Sequence, residues 1–424
     1  MFANTQTAET GSRKFCFDEN KIIRNHDYSK IMKILSIETS CDETAVSIVE
    51  ASGGIESPSF SVLGNALYSQ IAVHAQYGGV FPKLAKREHA KNLPHILKTA
   101  LFEANMWKVD HSSENIDWEN IQEILKKEDN LFADSKTLLE NIEKPPVDVI
   151  AVTCGPGLEP ALWVGISFAH ALSKLWNIPV VPVNHMEGHI FSVLIASKSP
   201  IVFPALSLLI SGGHTELVKM EGFGKYEIIG KTIDDAVGEA YDKTARMLGF
   251  PYPGGPEISK LSQYARENNL PHVAKFPRPM LHSKNLNFSF SGLKTSVLYY
   301  LRDNFGFDGE NPKELSQDEK ADIAREIDDA IGNVLLTKTK EALEKTPVKT
   351  LIVAGGVIAD KRLAELFHGL EGLYPGLSVR IPERKMTTDN AIMIACAGYI
   401  RVILQPEITT YPQQIIAKGN LELE

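Results

Sequence analysis

Ile34-Leu35-Ser36-Ile37, the polar run Glu38-Thr39-Ser40-Cys41-Asp42-Glu43-Thr44 and Ala45-Val46-Ser47-Ile48-Val49 read as strand, turn, strand. The same order returns at Leu206-Ser207-Leu208-Leu209-Ile210, Ser211-Gly212-Gly213-His214-Thr215 and Glu216-Leu217-Val218. The chain is therefore expected to be internally duplicated. Helical patterns lie between such strands, notably Ile166 to Trp176 and Asp235 to Leu248, the latter stopped by Gly249. Strands alternating with helices imply an α/β architecture of two related lobes.

At 424 residues, 43% hydrophobic and 23% charged, the chain is long enough for two or three domains with substantial cores. No apolar run approaches the roughly twenty residues needed to cross a membrane. The four cysteines (Cys16, Cys41, Cys154, Cys396) are scattered, which reads as reduced thiols of a cytoplasmic protein. A net charge of −9 argues against a generally basic nucleic-acid coat and confines any phosphate contact to a local patch such as Lys83, Lys86, Arg87, His89 and Lys91.

Residues 1–31 are polar and carry Glu9, Asp18, Glu19 and Asp27, so they fit neither a signal nor a transit peptide. They are expected to be a disordered extension, or the product of start-site choice with Met32 as the natural start. An N-terminal lobe is expected over 32–203 and a C-terminal lobe over 204–403. Residues 107–146, polar and closed by Pro145-Pro146, read as an insertion or an elaborated helical hairpin attached to the first lobe, with a helix or two on the surface, and 404–424 as a loose C-terminal tail.

His185-Met186-Glu187-Gly188-His189 places two imidazoles four residues apart, on one helix face, where they can grip one metal ion or pack structurally. Glu187 would point away from them, which places it badly as the base of a protease. Three turns carry small residues where a backbone could approach an anionic ligand: Thr39 to Thr44, Ser211 to Thr215 and Ala354-Gly355-Gly356. Glycines at strand ends also simply make turns, but three in a duplicated frame favour a ligand. None is a Walker A or G-x-G-x-x-G sequence.

Cys154-Gly155-Pro156-Gly157-Leu158 follows an apolar strand and precedes a helix, where α/β folds place ligands, although a stiff turn explains it equally well. Thr387-Thr388-Asp389-Asn390 opens another helix, with Asp389 either a cap or a third metal ligand. Asn287 to Thr295, with its hydroxyls beside Lys294, suits a phosphate or an RNA backbone, or is a half-buried strand entering a helix.

With these residues assembled, the chain from about Met32 to Arg401 resembles the TsaD family, which forms threonylcarbamoyladenosine in tRNA and was formerly described as O-sialoglycoprotein endopeptidase. The carriers are Ile37 to Thr44, Tyr77-Gly78-Gly79-Val80-Phe81-Pro82, Gly155 to Gly165, His185 to His189, Ser211 to Thr215, Asp234 to Thr244, Tyr252 to Gly255, Asn287 to Thr295 and Thr388 to Ala395. The resemblance implies the actin-like, hexokinase-like ATPase fold, two duplicated lobes around a cleft, with the last helix returning to the first lobe.

It further implies a catalytic metal site of His185, His189 and Asp389 holding one Fe2+ or Zn2+, and a nucleotide pocket lined by Ser211, Gly212, Gly213, His214, Thr215, Asp242, Gly255 and the position of Asp360, where relatives usually carry asparagine. The implied reaction moves threonylcarbamoyl from threonylcarbamoyl-AMP to the exocyclic amine of the adenosine beside the anticodon, in tRNAs that read codons starting with A. His214 and Lys294 are candidate helpers, and TsaB-like and TsaE-like subunits are the implied protein partners. A small-molecule kinase of the same superfamily would need phosphoryl-transfer carboxylates, and a non-catalytic scaffold subunit would lack the His185, His189, Asp389 triplet.

Overall fold

Strand β1 (Met32–Glu38) is buried on both faces: Leu35 and Ile37 point into one apolar cluster, Ile34 into another. Such two-sided burial selects β-branched and leucine side chains and requires a layer of helices on each side of the sheet. In the computed structural model, which describes residues 31–109, 116–128, 130–195, 199–309, 315–409 and 415–423, those layers are present.

The first lobe runs β1, β2 (Glu43–Ser52), β3 (Ser59–Ser69), α1 (Ile71–His74), α2 (Pro82–Glu103), α3 (Trp118–Leu125), α4 (Leu131–Leu139), β4 (Val149–Gly155), α5 (Glu159–Trp176), β5 (Val180–Asn184) and α6 (His185–Phe191). Its sheet has the order β3-β2-β1-β4-β5, with β1, β2 and β3 antiparallel and β1, β4 and β5 parallel.

The second lobe runs β6 (Ala205–Ile210), β7 (Thr215–Gly222), β8 (Lys225–Lys231), α7 (Val237–Met247), α8 (Gly255–Glu267), α9 (Ser291–Phe305), α10 (Gln317–Lys345), β9 (Thr350–Ala354), α11 (Lys361–His368), α12 (Leu370–Leu373), β10 (Ser378–Arg380) and α13 (Ala391–Leu404). Its sheet order, β8-β7-β6-β9-β10, repeats the first, antiparallel on one side of β6 and parallel on the other. This shared topology is the duplication expected of the actin-like, hexokinase-like fold.

Helices α6 and α13 lie between the two sheets. Ile34, Val149, Ala151 and Val183 cover them from one side, and Ala205, Leu209, Ile352 and Ala354 from the other. Although late in sequence, α13 packs against β1, β2, β4 and β5, and Ser36 Oγ donates to Ala391 O at 2.7 Å. The opposite face of the first sheet is closed by α2 and α5, where Leu93, Leu97, Leu162 and Phe168 are fully buried. Each such side chain contributes about 1.5–3 kcal/mol relative to exposure.

Two sequence expectations change. The insertion forms α3 and α4, yet Ile121, Leu125, Leu131 and Leu139 are buried in the first-lobe core. The tail is not loose where it is described: Ile415 and Ala417 join the same core, Leu423 the central one, and Lys418 N–H donates to Cys154 O at 2.9 Å. Isolated apolar residues in a polar segment carry no periodicity, so no local pattern announces this docking. The expected disorder of the N-terminal extension concerns residues 1–30, which lie outside the described residues.

Candidate metal centre

Asn184, the last residue of β5, accepts the Met186 N–H on its side-chain oxygen at 2.8 Å and so caps α6. One turn of that helix separates His185 from His189, and their rings stand edge to face with centroids 4.7 Å apart. Asp389 arrives from the residues that lead into α13, where Asn390 is the cap. Its Oδ1 lies 3.4 Å from His185 Nε2 and 3.1 Å from His189 Nε2. Ligand atoms of all three residues lie within 4.8 Å of one another.

Glu38, at the end of β1, is fully buried and reaches His185 Nδ1 at 3.1 Å. The Ser40 N–H and the Thr153 hydroxyl both donate to the same carboxylate at 2.5 Å. Burial alone would push the Glu38 carboxyl up, but the His185 charge and hydrogen bond outweigh it and hold it below its usual range. His185, despite burial, is held well above the usual imidazole range by Asp389 and Glu38. Against desolvation, the two imidazoles hold the half-buried Asp389 far below the carboxylate range.

The donor set fits a metal. Both ring nitrogens of His189 are buried without a hydrogen-bond partner, the approach of Asp389 lacking hydrogen-bond geometry. Two imidazole nitrogens and one carboxylate oxygen suit zinc or ferrous iron with positions left open. Glu187 points elsewhere: its carboxylate accepts from the Tyr226 hydroxyl at 2.7 Å and lies 3.9 Å from Arg401 Nη1.

Around this centre the expected pocket residues divide. Gly212 and Gly213 are exposed, in a turn closed by a Ser211 N–H to His214 O bond of 2.9 Å. Burial, reinforced by His185 and His189, brings the His214 pKa down to about 4, so its imidazole is neutral at pH 7. Thr215 is instead fully buried, its hydroxyl accepting the Val237 N–H at 2.9 Å. Asp242 accepts the Gly254 N–H at 2.6 Å and so shapes the turn that leads into Gly255 and α8. Asp360 caps α11 through the Leu363 N–H at 2.7 Å and also accepts from the Ser259 hydroxyl. Across the cleft, the Tyr252 hydroxyl donates to Asp42 at 3.4 Å.

Two candidate phosphate sites are not available as the sequence suggested. In the Asn287 to Thr295 stretch, Ser289 and Ser291 give their hydroxyls, and Phe290 and Ser291 their N–H groups, to Asp234 at 2.6–3.2 Å. That carboxylate already occupies the position an anion would take, and Lys294 faces Asp235 at 3.7 Å. In the basic patch, His89 is fully buried, bonded to Thr44 Oγ1 and Cys41 O, and Lys86 is tied to Glu128 at 3.2 Å. Only Lys83, Arg87 and Lys91 remain exposed there. A second cluster, His272, Glu326 and Asp329, is a poor metal site because Arg278 pairs with Glu326 while Arg266 and Arg362 pair with Asp329.

Glu38, Thr153 and Asn184 were not singled out from sequence. The available signal was position: each stands at or next to the carboxyl end of a first-sheet strand, where α/β folds build sites.

A family model described as tRNA N6-adenosine threonylcarbamoyltransferase matches residues 61–112 and 128–396. Proteins of that name from two strains of Burkholderia cenocepacia are each 41% identical over 378 residues, covering 89% of this chain and 94% of theirs. Among solved structures, full-length HypF in its phosphate- and nucleotide-bound form is similar at a TM-score of 0.48 and 11% identity, covering 88% of this chain and 47% of that one.

Proposed function

The chain belongs to the tRNA N6-adenosine threonylcarbamoyltransferase family and forms threonylcarbamoyladenosine in tRNA, and from that premise we propose that the transfer takes place at His185, His189 and Asp389 around one divalent ion, Fe2+ or Zn2+. The observation that carries this reading is the convergence of three ligand atoms from segments about two hundred residues apart, with the buried His189 nitrogens unpartnered. A buried polar group left so costs about 1–3 kcal/mol, which coordination removes.

Such an ion, when bound, acts as a Lewis acid toward the oxygens of the activated carbamoyl group. Glu38 accepts the proton on His185 Nδ1, which fixes the tautomer and leaves Nε2 for coordination. The exposed backbone at Gly212 and Gly213 lets the adenylate of threonylcarbamoyl-AMP approach closely. Neutral His214 offers it one donor and one acceptor, and Asp242, Gly255 and Asp360 shape the nucleoside side. The acceptor amine of the adenosine beside the anticodon is a poor nucleophile, so positioning supplies much of the acceleration. Desolvation and the neighbouring Asp42 raise the Cys41 thiol well above its usual range, in keeping with direct transfer.

The kinase and scaffold readings are not favoured by the family match. Among the described residues no helix is long and apolar enough to cross a membrane. We place the protein in the cytoplasm, with a TsaB-like subunit on the first lobe and a TsaE-like ATPase as partners. Metal analysis of the purified protein, joined to a transfer assay with tRNA and threonylcarbamoyl-AMP, tests the reading. Full transfer by protein stripped of metal would overturn it.

A further inference from the structure

Strands β4 and β5 end side by side, Gly155 opposite Asn184, and three polar groups at or just beyond their ends are met by the C-terminal segment 415–423. Lys418 N–H donates to Cys154 O at 2.9 Å, and the Gly157 N–H donates to Gly419 O at 3.1 Å. The Asn184 side-chain amide donates to Glu422 O at 3.1 Å while its oxygen caps the helix that carries His185 and His189. The contact is close: a Cβ on Gly155 would lie 2.0 Å from Lys418 O and 3.0 Å from the Leu421 Cβ. Ile415, Ala417 and Leu423 anchor the segment in two cores, and Lys231 of the second lobe meets the Glu422 carboxylate at 3.0 Å. The family match ends at residue 396, before this segment begins.

We propose that residues 415–423 form a strap that sets the 154–158 turn and, through Asn184, the orientation of α6, which makes Asn184 a positioning residue for the two histidines. The amide is the joint. Its oxygen can cap α6 only in the orientation that aims its NH2 at the strap, so the backbone of Glu422 selects the flip that holds the helix start. The inference rests on the metal reading of His185 and His189, and its test separates the two.

Two variants are compared with the full chain: one ended after residue 414, and Asn184→Asp, which keeps the capping oxygen and loses the donor to Glu422. Zinc affinity is measured by titrating chelator-stripped protein, and hydrogen exchange of 154–158 and 185–191 is followed in the metal-free state. Both variants are expected to bind zinc at least about tenfold more weakly, in the range that loss of groups orienting a ligand produces. Exchange at 185–191 should rise in both, and the peptide 415–424 added in trans should restore the shortened chain. If Asn184→Asp keeps the full chain's zinc affinity and exchange, the proposal is wrong, whatever shortening does to stability. If the full chain itself takes up neither zinc nor ferrous iron, the metal reading fails, while exchange in the metal-free proteins still decides whether the strap orders α6.

Discussion

Glu38 Oε2 stands 3.1 Å from His185 Nδ1, on the side of the ring opposite the nitrogen that faces Asp389. A carboxylate behind a ligating imidazole fixes its tautomer and raises its basicity. Glu38→Gln is therefore expected to lower metal affinity about 10–100-fold, with transfer falling in step. Isothermal titration with zinc checks this, and unchanged affinity would reduce Glu38 to a packing role.

His185→Ala, His189→Ala and Asp389→Ala are each expected to lose the metal and nearly all transfer while remaining folded, because ligands from two segments distant in sequence serve one ion. Retention of stoichiometric metal in the Asp389 variant would remove that carboxylate from the centre.

His89 supplies a pH test. Buried between Thr44 and Cys41 O, its pKa is pushed down from 6.5 to about 4. Neutral His89 thus contributes its full stability above pH 6.5, and the contribution is lost as pH falls toward 4, because the unfolded chain takes the proton first. The gap corresponds to about 3 kcal/mol. His185 acts with the opposite sign in metal-free protein: its raised pKa stabilises below the ordinary imidazole range and is lost as pH rises through the folded value. Comparing His89→Gln with the parent cancels that term. The variant's Tm should fall less than the parent's on acidification from neutral pH to about pH 4.5.

Asp360 already uses both carboxylate oxygens, one capping α11 and one toward Ser259. Asparagine also caps helices, so Asp360→Asn should change stability by less than about 1 kcal/mol. Affinity for the adenylate should change by less than about tenfold, or 1.4 kcal/mol, if this position meets the nucleoside and not a phosphate. A much larger gain in binding would show that Asp360 opposes an anionic group.

The duplicated strands and the His185, His189 pair were legible because they depend on local pattern: apolar strands, small turns and a four-residue spacing; Asp389 joined the pair only through the family resemblance. Other features depended on tertiary distance. Nothing local says that Asp234 lies across from Ser289 and Ser291 and consumes their donors, or that Thr215 turns inward to cap α7. His89 reads as one cation of a basic run until α2 docks on β2 and buries that face. The strap was hidden for the same reason, since its anchors Ile415, Ala417, Leu421 and Leu423 have meaning only against the β4 and β5 ends.

Ser36 gives its hydroxyl proton to Ala391 O, and Tyr399 gives its own to Gly53 O at 2.6 Å. The first lobe is thus completed by residues made well after its own sheet. Until α13 is made, Ile34, Val149 and Ala151 have no covering helix, and the two histidines have no carboxylate to share an ion with. A nascent chain can finish most of both sheets and still leave this apolar face uncovered. On the metal reading proposed above, an ion is then held by all three ligands only after translation has passed residue 389.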